Sequence, residues 1–375
     1  MTLLTAQGCE ERKARLWADV PEDQDWLLVG DPRHICYLSG FWVNPLSFSN
    51  GERALLALER DGTSTLFSDN FTRRTAVCDP FVTDEVIEKW YDHKHSVANR
   101  DDALFDAFKD KKKQLHRKVC CTESESLSLL HSPYKTGHTD LGHRIRRLRR
   151  AKHSDEVELL KRCMRAGEAG HARALDVIRP GLTEFQLYRE VQDAAQQAAG
   201  CPCLVYGDFR ANSADMPKAG GLPTDHVLQD GELFILDYSV VIQGYRSDFT
   251  NTLAVGVPTA AQQQLFDTCL KAMEAAEGTL KAGAEAKAVY AAASQVLESG
   301  DFGALAHHAG HGLGLGHPEA PIFGPESTDT LVIGDVVTIE PGAYIQGIGG
   351  VRVEHNYLVT ESGFEKLSDH KITLR

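Results

Sequence analysis

No stretch of the 375-residue sequence reaches 18 consecutive apolar residues, so nothing in it is long enough to span a bilayer as a helix. The first ten residues carry neither a basic n-region nor a useful apolar h-region, and no secretory signal is expected. Concentrated positive charge is scarce as well. Residues 111–118 and 144–150 are the basic runs, and such runs are ordinarily solvated helix faces or linkers. A nucleic-acid partner would need a basic face and is therefore not expected; neither is a membrane partner. Cysteine is present without a pairing pattern, as Cys9, Cys36, Cys78, Cys120, Cys121, Cys163, Cys201, Cys203 and Cys269. An odd number without paired spacing argues against a disulfide frame and for a reducing compartment, the cytoplasm. Cys201-Pro-Cys203 has no second ligand pair nearby and reads as ordinary thiols.

What remains is globular composition. With 42% hydrophobic and 25% charged residues, 32 Gly and 14 Pro, disorder and collagen-like repeats are excluded as the main state. The length predicts two or three domains. Formal charge is −13, and its distribution is uneven. Residues 1–150 carry 23 bases and 23 acids, whereas 151–375 carry 17 bases and 30 acids, so the second part holds all of the acidic excess.

Residues 25–30, 35–39, 54–59 and 64–68 read as short strands, the last two joined by a hairpin turn at Asp61-Gly62. Residues 85–114 are charged and helical in character, which makes the first part a small α/β domain. The polar, basic stretch 136–152, with no apolar period, marks the domain boundary. Residues 1–143 and 153–375 are the expected domains, with 144–152 as linker.

In the second part Ser154 can cap a helix that stops before Pro180-Gly181, and Thr183 with Gln186 opens a second by a capping-box pattern. A Gly-, Pro- and Asn-rich stretch, 206–231, precedes a hairpin over 232–256. Thr259 with Gln262 starts another helix, 284–299 a further one, and strands over 336–344 and 351–359 follow. The order helix, helix, hairpin thus occurs twice. At an offset of 102 residues Gly181 meets Gly283, Tyr188 meets Tyr290 and Ile178 meets Leu280, which suggests two similar halves facing each other.

Each hairpin holds two carboxylates. With a turn at Gln243-Gly244, Asp237 falls opposite Thr250 and Asp248 opposite Ser239, making the two acids diagonal neighbours on one face, roughly 6–8 Å apart. Glu340 and Glu354 are symmetric about Gly347. Solvent-exposed acids on a polar sheet face would be the plain explanation, but Ile235, Leu236, Val337, Ile339, Val351 and Val353 are too apolar for an exposed sheet. Four buried carboxylates resist ionising together unless cations lie between them. His311, in Gly310-His311-Gly312, is a fifth ligand candidate, its glycines letting backbone come close to a metal centre. Carboxylates plus imidazole without thiolate suit Mn, Fe, Co or Zn. Two such ions typically lie about 3.5–4 Å apart and share a water whose pKa falls toward neutrality, a hydrolase's nucleophile.

Asp237, Asp248, His311, Glu340-Pro341-Gly342 and Val351-Arg352-Val353-Glu354 together resemble the five-ligand pattern of the pita-bread metallopeptidases: prolidase, aminopeptidase P and methionine aminopeptidase. The match covers about residues 145–375. Tyr37-Leu38-Ser39-Gly40-Phe41 resembles the N-terminal domain of the prolidase, aminopeptidase P and creatinase branch, a domain that methionine aminopeptidases usually lack. The resemblance implies an α+β chain whose C-terminal pita-bread fold has two pseudo-symmetric helix-hairpin halves, preceded by a smaller creatinase-type α/β domain. It implies two divalent ions per chain, manganese first and cobalt, zinc or iron as alternatives. Asp237 would chelate one ion, His311 with Glu340 the other, and Asp248 and Glu354 would bridge them. Glu340 would also be the general acid/base, His307 would lie near substrate, and Arg352 and Tyr344 would support the site. A short peptide cut after its N-terminal residue, at an Xaa-Pro bond, is the expected substrate, and a homodimer the expected assembly.

The sequence departs from that pattern around the substrate. The family's second active-site histidine usually lies seven residues after the metal histidine, where Pro318 stands here, with His317 one residue early and Glu319 following. A local backbone adjustment would let His317 serve. A Pro-His stretch before the first metal hairpin is replaced by Pro217-Lys218-Ala219-Gly220-Gly221, and the aspartate that often follows the last ligand is His355. Protonated, Lys218 cannot accept a hydrogen bond but could hold a substrate carboxylate. The alternatives are a creatinase-like hydrolase of a small non-peptide C–N bond, which needs no metal, and a non-catalytic peptide-binding homologue. The retained five ligands speak against both.

Overall fold

The computed structural model describes residues 4–43, 53–96, 99–115, 118–123, 125–126 and 141–375. The chain divides into two compact units, Met1–Arg149 and Arg150–Arg375. In the first, Trp26–Val29 runs antiparallel to Ala54–Glu59 and parallel to Cys120–Thr122. Ser64–Asp69 and then Asp84–Glu88 extend the sheet to five strands. Helix Arg100–Leu115 covers it, setting Phe108 at 5.2 Å from Phe67 and 6.2 Å from Trp26 between ring centroids. A fully buried aromatic of this size contributes about 1.5–3 kcal/mol, and these three with Leu28, Leu55 and Ala57 form the core of this unit.

Two element assignments fail here, and part of the expected linker is helical. Residues 35–39 belong to a helix, Pro32–Ser39. Its Asp31 accepts a hydrogen bond from Arg33 N, Pro32 sits in the first turn, and Gly40 ends it at φ 71°. A short apolar run does not distinguish a buried helix from a strand, and the caps decided it. Residues 84–88 form a strand, and the helix starts only at Arg100. The expected linker is in part the helix Leu141–Leu148, which buries Leu141 and Ile145 four residues apart; residues 136–140 lie outside those described.

The second unit carries the repeated order. Ser154–Val177 packs on Glu184–Ala199, and Ala260–Glu277 on Ala286–Ser299. Thr183 with Gln186 and Thr259 with Gln262 close capping boxes as their spacing predicts. The first helix is capped by His153 instead of Ser154, with Glu156 completing the box. The internal symmetry extends to single hydrogen bonds. Gly181 N donates to Leu228 O at 2.9 Å, and Gly283 N to Leu331 O at 2.8 Å. Gly231 N reaches Val255 O at 2.9 Å, and Gly334 N reaches Val359 O at 3.0 Å. Tyr188 and Tyr290 each donate a hydroxyl to a backbone carbonyl, of Val205 and Leu305.

The first half departs from expectation at residues 206–231. Leu204–Asn212 is a nine-residue strand laid antiparallel along Leu233–Ile242, with Asp208 across from Asp237. Its Gly and Asn content hid it, since tertiary pairing overrides weak strand propensity. Among the described residues no helix is long and apolar enough to cross a membrane.

Candidate metal centre

The first hairpin joins Leu233–Ile242 to Tyr245–Arg246 and Phe249–Ala254 through Gln243 and Gly244, at φ 51° and 82°. Two successive positive φ angles are what a tight two-residue hairpin turn requires. The resulting register sets Asp237 against Thr250, so that Asp248, two residues earlier on the returning strand, shares its face. Ser239 Oγ lies 3.5 Å from Asp248 Oδ1. Asn356 brackets the Asp248 peptide from both sides, its Oδ1 accepting from Asp248 N and its Nδ2 donating to Asp248 O.

In the second hairpin one register runs throughout. Ile339 pairs with His355 and Gly342 with Arg352, which keeps Glu340 in line with Glu354 about Gly347. The ladder opens where the two glutamates stand. Glu340 N turns to Ala309 O at 2.9 Å, and Glu354 N to Thr250 O at 3.0 Å on the first hairpin. Pro341, without an N–H, leaves one bond across the strands here, its carbonyl accepting from Val353 N at 3.2 Å. The apolar neighbours Ile235, Leu236, Val337, Ile339, Val351 and Val353 are all fully buried, so the acids do sit in an interior. The glycines flanking His311 serve backbone packing instead of approach to a metal. A Cβ on Gly310 would lie 2.1 Å from Thr338 O, and one on Gly312 2.2 Å from Ala320 O.

These elements bring Asp237, Asp248, His311, Glu340 and Glu354 together. His311 Nδ1 faces Gly312 O at 2.9 Å. That contact assigns the ring proton to Nδ1 and leaves Nε2 free as a ligand. His311 Nε2 stands 3.4 Å from Asp248 Oδ2 and 3.6 Å from Glu340 Oε1. Donor atoms of Asp237, Asp248 and Glu354 lie within 4.8 Å of one another, as do those of Asp248, His311 and His317. Glu354 Oε1 is buried without a hydrogen-bond partner, a costly state for a carboxylate unless a cation meets it. The donor set therefore fits divalent ions.

Electrostatics point the same way. Burial pushes Asp237 up to about 7 despite the Arg352 guanidinium beside it. Burial, with Asp248 and Asp237 close by, holds Glu354 well above the usual carboxylate range. For Asp248 the cost of burial is outweighed by His311 and His317, which keep it low. For Glu340 burial is outweighed by His308 and His311. Against burial, Asp248 and Glu340 lift His311 to about 9. Four acids this close titrate as one coupled set.

Around the cluster, Arg352 Nη2 holds Asp237 Oδ2 at 2.5 Å and Asp208 Oδ2 at 2.8 Å. Its Nη1 donates to the Tyr344 hydroxyl at 3.2 Å, and Tyr344 lies 3.3 Å from His307 Nε2. His307 is thus placed beside the cluster with its orientation fixed, Nδ1 facing His308 O at 2.7 Å. His317 reaches the cluster although Pro318 occupies the usual position: its Nε2 is 2.7 Å from Asp248 Oδ2. Lys218 Nζ lies 5.5 Å from the Tyr344 ring centroid. His355 turns away to Ser368 Oγ at 2.9 Å and packs on His370, with ring centroids 4.4 Å apart. Sequence reasoning missed three participants. Asp208 lay in a segment read as loop. His308, adjacent to His307, brings Nδ1 to 3.3 Å from Glu340 Oε1. Thr250 donates its hydroxyl to Glu354 Oε2 at 2.7 Å; its place opposite Asp237 was the available signal.

Residues 158–361 match metallopeptidase family M24, and residues 21–150 match the creatinase/prolidase N-terminal domain. The chain belongs to metallopeptidase family M24. Enzymes of this family bind divalent metals, and the cluster above holds carboxylate and imidazole groups spaced closely enough to hold one. It is 27% identical over 356 residues to an uncharacterized peptidase of Staphylococcus saprophyticus, covering 93% of this chain and 95% of that one. Its pita-bread fold superposes on an X-Pro aminopeptidase from Thermotoga maritima with a TM-score of 0.77 at 21% identity, over 97% of this chain and 98% of the other. An Xaa-Pro dipeptidase from Bacillus anthracis gives 0.75 at 22% identity, over 99% of both chains.

Proposed function

We propose that this M24 metallopeptidase is dinuclear and removes the N-terminal residue from short peptides, with an Xaa-Pro bond as its favoured substrate. The observation that carries the dinuclear reading is Asp248, whose carboxylate belongs to both compact donor groups, with Asp237 and Glu354 on one side and His311 on the other. In this reading Asp237 would hold one ion, His311 and Glu340 the other, and Asp248 and Glu354 would contribute to both. When bound, the ions polarise the scissile carbonyl and lower the pKa of the attacking water. Manganese is the proposed native metal. The substrate reading draws on the X-Pro aminopeptidase and Xaa-Pro dipeptidase of like fold. None of the nine cysteines is in a disulfide, which supports a reducing, cytoplasmic setting.

Each residue then has a task. Glu340 takes a proton from the attacking water and returns it to the leaving amine, with His308 beside its carboxylate. His317 donates from Nε2 to the oxyanion that develops at the carbonyl. His307, oriented by Tyr344, faces the substrate. Arg352 fixes Asp237 by its guanidinium and Tyr344 by its second nitrogen.

The test is cleavage of Ala-Pro, Ala-Pro-Ala and Ala-Ala-Ala by manganese-loaded protein, with a chelated control. Chelator-sensitive cleavage of a proline peptide, and not of Ala-Ala-Ala, is the expected result. Two ions bound per chain with no peptide cleaved would sink the substrate and keep the centre; turnover insensitive to chelator would sink the metal chemistry.

A further inference from the structure

We propose that Lys218 is the anchor for the C-terminal carboxylate of a dipeptide substrate, so that the enzyme selects a free carboxylate directly after the scissile bond. The inference rests on the peptidase reading above and deepens it. Lys218 is exposed, yet the chain around it is fixed. On one side, Pro217 O is pressed so close to Gly350 that a Cβ there would lie 2.0 Å away, while Gly347 N donates to Ala214 O at 2.8 Å. On the other side, Gly221 N donates to Asp208 Oδ1 at 2.5 Å and Phe209 N to Gly221 O at 2.9 Å. Asp208 is the carboxylate that shares Arg352 with Asp237, so the Lys218 loop and the metal cluster hang on one residue.

The side chain is directed as well. Its ammonium stands 5.5 Å from the ring centroid of Tyr344, whose hydroxyl meets Arg352 and His307. An aromatic face attracts a cation and holds it in place. Arg352 has two carboxylates, while no carboxylate among the described residues pairs with Lys218. An unpaired cation beside an acidic centre is a complementary site for an anion entering with the substrate. In a dipeptide the terminal carboxylate lies about 4 Å beyond the scissile carbonyl, one residue's span, and the flexible four-carbon stem of lysine can close on it. A longer peptide offers a neutral amide at that place.

Ala-Pro and Ala-Pro amide share the scissile bond and differ in this carboxylate alone, so their ratio of kcat/KM isolates the contact. Wild-type protein, Lys218→Met and Lys218→Arg are compared after metal loading, with thermal melts to establish folding. A charge-assisted contact of this kind should give Ala-Pro at least roughly a tenfold advantage. Lys218→Met should bring the ratio close to one, through KM for Ala-Pro, and Lys218→Arg should restore most of it. An unchanged ratio in folded Lys218→Met, or no advantage in the wild type, overturns the proposal. Should neither peptide be cleaved, the Xaa-Pro reading falls, and calorimetric binding of the two compounds to the same proteins decides this one. Tighter binding of the acid, lost in Lys218→Met, sustains the anchor; equal or absent binding overturns it.

Discussion

In the first half of the catalytic unit, Gly181 and Gly231 tie the helix pair to its hairpin through the carbonyls of Leu228 and Val255; in the second, Gly283 and Gly334 do so through Leu331 and Val359. The chemistry placed on this common frame differs. The first hairpin supplies two aspartates on one face, two residues out of direct opposition, whereas the second supplies two glutamates in line. Asp237 faces Thr250, and that threonine, instead of offering a fifth carboxylate, hydrogen-bonds Glu354 across the interface between hairpins. The loop before the first hairpin carries Lys218; the segment before the second carries His307, His308, His311 and His317. Symmetry provides two facing strand pairs on which donors converge. Both halves supply carboxylates to the cluster; the asymmetry puts the histidines on the second half, and in the proposed reading it leaves the substrate's far end to the first.

The largest effect should come from removing the carboxylate common to both donor groups. Asp248→Ala is expected to lose paired metal binding and activity together, by roughly 10³-fold or more in kcat/KM, read by metal analysis and peptide turnover. Near-normal turnover with two ions bound would break the assignment and the comparison with it.

The halves also differ in buried histidine. His171 and His370 stack against the first hairpin, His370 4.4 Å from Phe249 between ring centroids. Burial holds His370 down to about 4 and His171 well below its usual range, whereas an unfolded histidine titrates near 6.5. With the folded value depressed, the stabilisation is complete above pH 6.5 and is lost as pH falls toward 4, because the unfolded chain takes up the proton first. For His370 this amounts to about 3 kcal/mol at pH 4. Urea midpoints between pH 7 and 4 should fall less steeply in His370→Asn than in the wild type; equal slopes would remove His370 from the account.

Helix packing gives a smaller contrast. Ser154–Val177 lies so close to the first hairpin that a Cβ on Gly170 would fall 2.1 Å from the Tyr238 hydroxyl. Ala260–Glu277 carries no glycine and buries Ala272, Met273 and Ala276. Gly170→Ala should cost about 1–3 kcal/mol through overpacking, measured by urea denaturation, and a neutral result would show that the helix can shift. Where the halves are alike, the effects should match. Gly181 and Gly283, at φ 88° and 84°, have nothing within 4 Å of an added Cβ. Their alanine variants should each lose about 1 kcal/mol from backbone strain alone, agreeing to within about 0.5 kcal/mol.

Much of the site was legible because strand geometry is periodic. Once a turn is placed at Gln243-Gly244, the alternation of side chains puts Asp237 and Asp248 on one face, and apolar neighbours on both sides of the glutamates say that their face is interior. Capping boxes at Thr183 and Thr259 were readable for the same local reason. Short elements were harder. The helix Pro32–Ser39 and the strand Leu204–Asn212 have apolar content that suits either state or neither; caps at Asp31 and Gly40 settled the first, and pairing with Leu233–Ile242 the second.

By itself the sequence determined five candidate donors, their order and the two-fold succession of elements, since each follows from spacing within a few residues. The tertiary structure decided what surrounds those donors. Asp208 joins the cluster only because its strand lies along Leu233–Ile242. Thr250 meets Glu354 because two hairpins abut, His317 reaches Asp248 through the path of its loop, and Lys218 faces Tyr344 because its loop is pinned to Gly350. These contacts join residues far apart in the chain, and the energies that select them are those of packing and pairing between elements, which local pattern does not encode.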